Sequence, residues 1–121
     1  MARIVKSGTG WRLGWDANAD PFKGLVGTDE WSLELTEVEL HDFCRLLSQL
    51  VETMVQMSSE LMDEETIACE AESDCLWLET EGYPHTYSLR LILLTGRRGE
   101  GRWAAVTVPA LAQAARSLNV F

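Results

Sequence analysis

The stretch Thr36–Met62, TEVELHDFCRLLSQLVETMVQMSSELM, constrains what this chain can fold into more than any other. Thr36 followed three residues later by Glu39 is a capping box, in which the hydroxyl and the carboxylate each accept an orphan backbone N–H. Leu40, Phe43, Leu47, Leu50, Met54, Met57 and Leu61 recur at alternating spacings of three and four, which places them on one face of a helix over 37–62. Cys44, Val51, Val55 and Met62 sit one position further round and widen that face. His41, Asp42, Arg45, Gln49, Glu52 and Glu60 take the other side. Such a helix spans roughly 40 Å and needs a large apolar partner, which only strands elsewhere in the chain can supply.

The flanking sequence supplies them. Arg3–Lys6 is a strand candidate, and Ser7–Gly10 a turn. Trp11, Leu13 and Trp15 alternate with Arg12 and Gly14, the period of a half-buried strand. Asp16–Lys23 is loop chemistry, Gly24–Val26 a short pairing segment, and Trp31, Leu33 and Leu35 alternate into the helix cap. After the helix, Ile67, Cys69 and Ala71 face one way, as do Leu76, Leu78 and Thr80. A turn at Ser73–Asp74 pairs Ala71 with Leu76, and a loop at Gly82–His85 pairs Leu78 with Leu89, with the apolar members on one side. Thr86–Leu94 follows, then the loop Thr95–Gly101 and a strand Arg102–Val106. A second helix opens at Thr107, with Pro109 in its first turn and Val108, Leu111, Ala112, Ala115 and Leu118 on one face. The expected fold is α+β: two antiparallel sheets of about four strands, each followed by a helix, in one domain over 1–121.

Charge is unevenly spread. Of the net −9, residues 37–81 carry 13 acidic and 1 basic group, whereas residues 82–121 carry 1 and 5. So acidic a chain is a poor general binder of phosphate backbones, whose affinity comes mainly from Lys and Arg. Three cysteines without a C-x-x-C spacing suit reduced thiols. The opening residues show no apolar leader and no segment is apolar enough to cross a membrane, so a cytoplasmic location is expected and no membrane partner.

The segments Gly8–Asp16 (GTGWRLGWD), Trp31–Leu47, Glu60–Glu65 (ELMDEE), Trp77–Arg90 and Gly96–Trp103 (GRRGEGRW), with the ending Val120-Phe121, resemble a family of uncharacterised cyanobacterial proteins across essentially the whole chain. The resemblance implies a fold similar to single-stranded-DNA-binding transcriptional regulators, the class that includes plant Whirly proteins. The lysine-rich K-G-K-A-A-L motif that Whirly proteins use on DNA has no counterpart here.

No catalytic motif stands out, and the expectation is a non-enzymatic binding or regulatory domain without a cofactor or metal. The Gly8-x-Gly10-x-x-x-Gly14 run precedes a Trp-rich strand rather than a helix, so it reads as turn and strand. Glu37 and His41 are one helical turn apart, a spacing open to a metal pair but more simply a solvated face. Asp63-Glu64-Glu65 lacks the glycine-punctuated loop of a calcium site. Cys44 and Cys69 fall on core faces, and burial leaves thiols inert. The best candidate is the loop Gly96–Trp103, which groups Arg97, Arg98 and Arg102 around three glycines. Planar guanidinium groups beside bare backbone suit phosphates, carboxylates or stacked bases. On the outer face of the second sheet, Trp77 is expected between Glu70 and Arg90, with Arg90 lying across its indole. Trp11, Trp15, Trp31 and Trp103 read as core. The first expected role is interaction with a protein partner or self-association through segregated acidic and basic patches. The second is single-stranded nucleic-acid binding by the Arg loop and the outer face of the second sheet.

Overall fold

The computed structural model describes residues 3–121. Strands β1 (Arg3–Gly8), β2 (Trp11–Asp16), β3 (Gly24–Gly27) and β4 (Ser32–Leu35) form one antiparallel sheet in that order. Helix α1 (Glu37–Met57) follows. Strands β5 (Ile67–Glu72), β6 (Leu76–Tyr83), β7 (Thr86–Leu93) and β8 (Glu100–Trp103) form the second sheet, again in chain order. A short 3₁₀ turn, Ala105–Thr107, leads into α2 (Val108–Arg116). The α+β arrangement of two four-stranded sheets, each followed by a helix, is the expected one. Among the described residues no helix is long and apolar enough to cross a membrane.

Helix α1 lies between the sheets and packs on β3 and β4 of the first and on β5 and β6 of the second. Its capping box forms: Glu39 N–H donates to Thr36 Oγ1 at 3.2 Å, and Thr36 N–H donates to Glu39 Oε1 at 2.9 Å. Leu40, Phe43, Leu47, Leu50 and Met54 are buried, as their spacing requires. The helix is five residues shorter than the expected 37–62. It stops where Ser58 turns back, its N–H and hydroxyl both donating to the Val55 carbonyl. The buried arc also widens on the other flank. Leu46, three residues after Phe43, is buried, whereas Val55 and Met62 are exposed.

The first sheet turns Trp11, Leu13, Trp15, Val26 and Leu35 inward. Gly24 sits directly under α1, and a Cβ there would lie 2.9 Å from that of Leu40. The second sheet contributes Leu76, Leu78, Leu89, Leu91, Leu93 and Trp103 to the same core. In both its hairpins the expected faces are correct and the expected partners are not. Ala71 pairs with Leu78 rather than Leu76, and Leu78 pairs with Leu91 rather than Leu89. The Ser73 hydroxyl accepts the N–H groups of Cys75 and Leu76 and draws out a four-residue loop, while Tyr83 and Thr86 pair across a two-residue turn at Pro84–His85. Each shift is two residues, which keeps every side chain on its face. Strand β8 begins at Glu100 rather than Arg102, so half of the expected Arg loop is strand. The 3₁₀ turn takes the place of that strand's expected end at Val106. Val108, Leu111, Ala112, Ala115 and Leu118 are all buried, as expected.

Candidate interaction surfaces

The Arg loop does not present its three arginines together. Arg97 turns inward from the β7–β8 loop and donates from Nη2 to Glu39 Oε1 at 2.6 Å and from Nη1 to Oε2 at 3.4 Å. Its Nη2 also reaches the Glu34 carbonyl at 2.9 Å, and its guanidinium lies 4.5 Å from the Phe22 ring centroid. The Glu39 side chain is only 3% exposed. Burial alone would push its carboxyl up. Hydrogen bonds from Arg97 and the Thr36 backbone N–H, with the Arg97 charge, outweigh that and hold it below the ordinary carboxylate value. Arg97 therefore ties the second half of the chain to the N-terminal end of α1. Two of the loop's three glycines serve the same junction. A Cβ at Gly99 would strike Leu33, and one at Gly101 would strike the Trp31 ring, which packs 4.9 Å from Trp103. Trp103 in turn donates its indole N–H to the Gly27 carbonyl at 2.9 Å. Arg98 stays exposed in the loop with φ 55°.

Trp77, Arg90 and Arg102 do share a surface, the outer face of the second sheet. Arg90 lies 5.5 Å from the Trp77 ring centroid, as expected. The contact is diagonal, because Trp77 stands opposite Glu72 and Ile92, and Arg90 opposite Glu79 and Arg102. The expected row Glu70–Trp77–Arg90 is corrected accordingly: Glu70 faces Glu79, and the carboxylate that pairs with Arg90 is Glu100, at 3.4 Å. Arg102 donates to the Ser88 hydroxyl at 3.2 Å. Arg90, Glu100, Arg102 and Ser88 line a shallow hollow of about 580 Å³ together with Glu79 and Glu81. The face as a whole carries Glu70, Glu72, Glu79, Glu81 and Glu100 against two arginines, so its field repels phosphate.

A second concavity, of about 490 Å³, was not foreseen. One wall is the C-terminal half of α1, with Val51 and Val55. The other is α2 and the turn before it, with Val106, Val108, Pro109 and Ala112. Thr86 and Tyr87 of β7 and the Pro84–His85 turn close one end. Val55 is 63% exposed and Val106 86%, large values for valines. Arg116 is the one Lys, Arg, Asp or Glu among the lining residues. Burial raises the Tyr87 phenol above its ordinary value, and the Arg116 charge offsets part of that rise. The sequence signal was present, since Val55 extends the apolar stripe of α1, but periodicity alone assigned it to the core.

The other candidate residues make local contacts. Glu37 pairs with Lys23 at 3.5 Å rather than with His41, whose ring lies 4.7 Å from that of Phe121. His85 stacks on Tyr83 at 6.2 Å. Glu65 accepts the Met62 N–H at 2.8 Å within its own turn. Among the described residues no three His, Cys, Asp or Glu side chains converge as metal ligands. Burial pushes the Cys44 thiol up to about 12. Burial, with the negative charge of Asp42, also raises that of Cys75.

Residues 6–118 match the family described as a domain of unknown function, DUF1818, and the chain belongs to that family. Among solved structures it is similar to a protein of unknown function from the DUF155 family of Prochlorococcus sp. NATL2A, a cyanobacterium. The two share 29% identity with a TM-score of 0.89, over 95% of this chain and 98% of that one. A comparison with curated proteins finds no match.

Proposed function

We propose that this DUF1818 protein is a non-catalytic protein-interaction module and that its partner seats in the groove between α1 and α2. The observation that carries this reading is the groove itself, a concave apolar surface with Val55 and Val106 laid open to solvent. Isolated exposed valines need no explanation, but valines grouped with Pro109 and Ala112 in one cleft form a docking patch. The high thiol value of Cys44 and the separate settings of the two histidines also favour binding over catalysis.

The rival reading is single-stranded nucleic-acid binding by a Whirly-like fold through Trp77, Arg90, Arg97, Arg98 and Arg102. Its support is the Trp77–Arg90 stack, a half-buried aromatic platform on which a base can lie. Against it stand the glutamates around that platform and the commitment of Arg97 to Glu39. Parallel affinity capture separates the two readings. Wild-type bait, a Val55→Asp/Val106→Asp bait and a Trp77→Ala/Arg90→Ala bait are compared in one native extract. A partner lost only with the groove variant supports the proposal, and one lost only with the sheet variant refutes it. Both valines are exposed, so the groove variant should keep its fold, which its circular dichroism checks.

A further inference from the structure

We infer that the occupant of the α1–α2 groove is an amphipathic helix of a partner protein that carries an acidic residue beside its apolar anchors. This rests on the interaction reading above and adds the chemistry of the partner. Two facing helices, with Val51 and Val55 on one and Val108, Pro109 and Ala112 on the other, leave a trough of the kind that receives the apolar stripe of a third. Val106 stands at its rim, 86% exposed, where an anchor side chain would cover it.

The charge of the trough sets the flank. In a chain of net −9, no Asp or Glu is among the residues that line it. Its polar lining residues are Arg116 of α2, Thr86 and Tyr87 of β7, and His85 of the turn before that strand. Arg116 is braced by a 2.5 Å bond to Gln113 Oε1, which holds the guanidinium at the exposed end of α2. Guanidinium and phenol together are donors for a carboxylate at the end of an apolar cleft. The groove therefore has the opposite preference to the molecule around it. Overall charge favours basic ligands, whereas the groove favours an apolar helix with Glu or Asp at its edge.

That opposition makes the inference testable with the full chain. A display library of helical peptides, with apolar residues fixed at i, i+3, i+4 and i+7 and flanking positions randomised, is selected on wild-type protein. Binders that also bind Val55→Asp/Val106→Asp are removed. The expected binders are enriched in Asp or Glu at flanking positions. Arg116→Glu should weaken them about tenfold or more, and exchanging their acidic residue for Lys should restore binding to that variant. Enrichment of Lys or Arg instead, acidic binders that Arg116→Glu leaves unaffected, or no enrichment at all would overturn the inference. So would a dimer in sedimentation velocity that Val106→Asp dissolves, since a second copy would then fill the groove. Each of these outcomes is read independently of the capture experiment, which tests the interaction reading itself.

Discussion

Replacing Arg97 with Ala should destabilise the fold rather than abolish a binding activity. The substitution removes two hydrogen bonds to the Glu39 carboxylate, one to the Glu34 carbonyl, and the contact over Phe22. It leaves a carboxylate that is 3% exposed and still accepts the Thr36 N–H. Breaking one side of a fully buried pair costs about 3–5 kcal/mol. The Arg97 side chain is 35% exposed, so water enters the space it vacates and screens part of the loss. The expected cost near neutral pH is therefore about 2–3 kcal/mol. Lysine at this position keeps the charge but not the fork and should recover about half of that. The pH dependence follows from Glu39, whose folded value lies below its ordinary 4.5. Its stabilising contribution is complete above the unfolded carboxylate value and disappears as pH falls through the lower folded one. The stability gap between wild type and Arg97→Ala, measured by urea unfolding with tryptophan fluorescence, should close as the buffer is taken from neutral to strongly acidic. A loss below about 0.5 kcal/mol at neutral pH, or a gap indifferent to acid, would refute the brace.

Leu50→Ala on the buried stripe of α1 should cost about 2–5 kcal/mol in the same unfolding assay, and a near-neutral result would remove this face from the core. Gly101→Ala should cost about 1–3 kcal/mol, because its Cβ must displace the Trp31 ring, and a blue or red shift in tryptophan emission should accompany it. Cys44, with its thiol pushed up to about 12, should resist alkylation by iodoacetamide near neutral pH until the protein unfolds, and ready labelling of the native state would contradict its burial. Labelled single-stranded DNA should show no rise in anisotropy with wild-type protein at low salt. Saturable binding there, lost in Arg90→Ala/Arg102→Ala, would instead favour the nucleic-acid reading.

The faces of the elements were legible in the sequence, because alternation and helical spacing report burial directly. Leu76, Leu78, Leu89 and Leu91 point inward whichever of two registers is chosen. Their partners were not legible, since a shift of two residues preserves every face and only the turns decide between the registers. Ser73 lengthened one turn by accepting two backbone N–H groups, and Pro84–His85 shortened the next. Both effects depend on local hydrogen bonds rather than on apolar pattern. The capping box of Glu39 was visible in four residues, yet its other partner, Arg97, is 58 positions away and no local signal joins them. The glycines around Arg97 read as a bare cradle for a ligand, and the structure packs Leu33 against Gly99 and Trp31 against Gly101. The groove escaped notice for a related reason. Periodicity shows that Val55 extends an apolar stripe, but only the position of α2 shows that it is left 63% exposed along a groove.

The claim that the α1–α2 groove is where a partner seats is tested most directly by hydrogen–deuterium exchange on the chain with and without the captured partner. The account predicts slowed exchange in peptides spanning residues 51–57, 84–87 and 105–116, the three segments that line the groove. Protection confined to residues 76–82 and 100–103 on the outer face of the second sheet, with the groove segments unchanged, would contradict it.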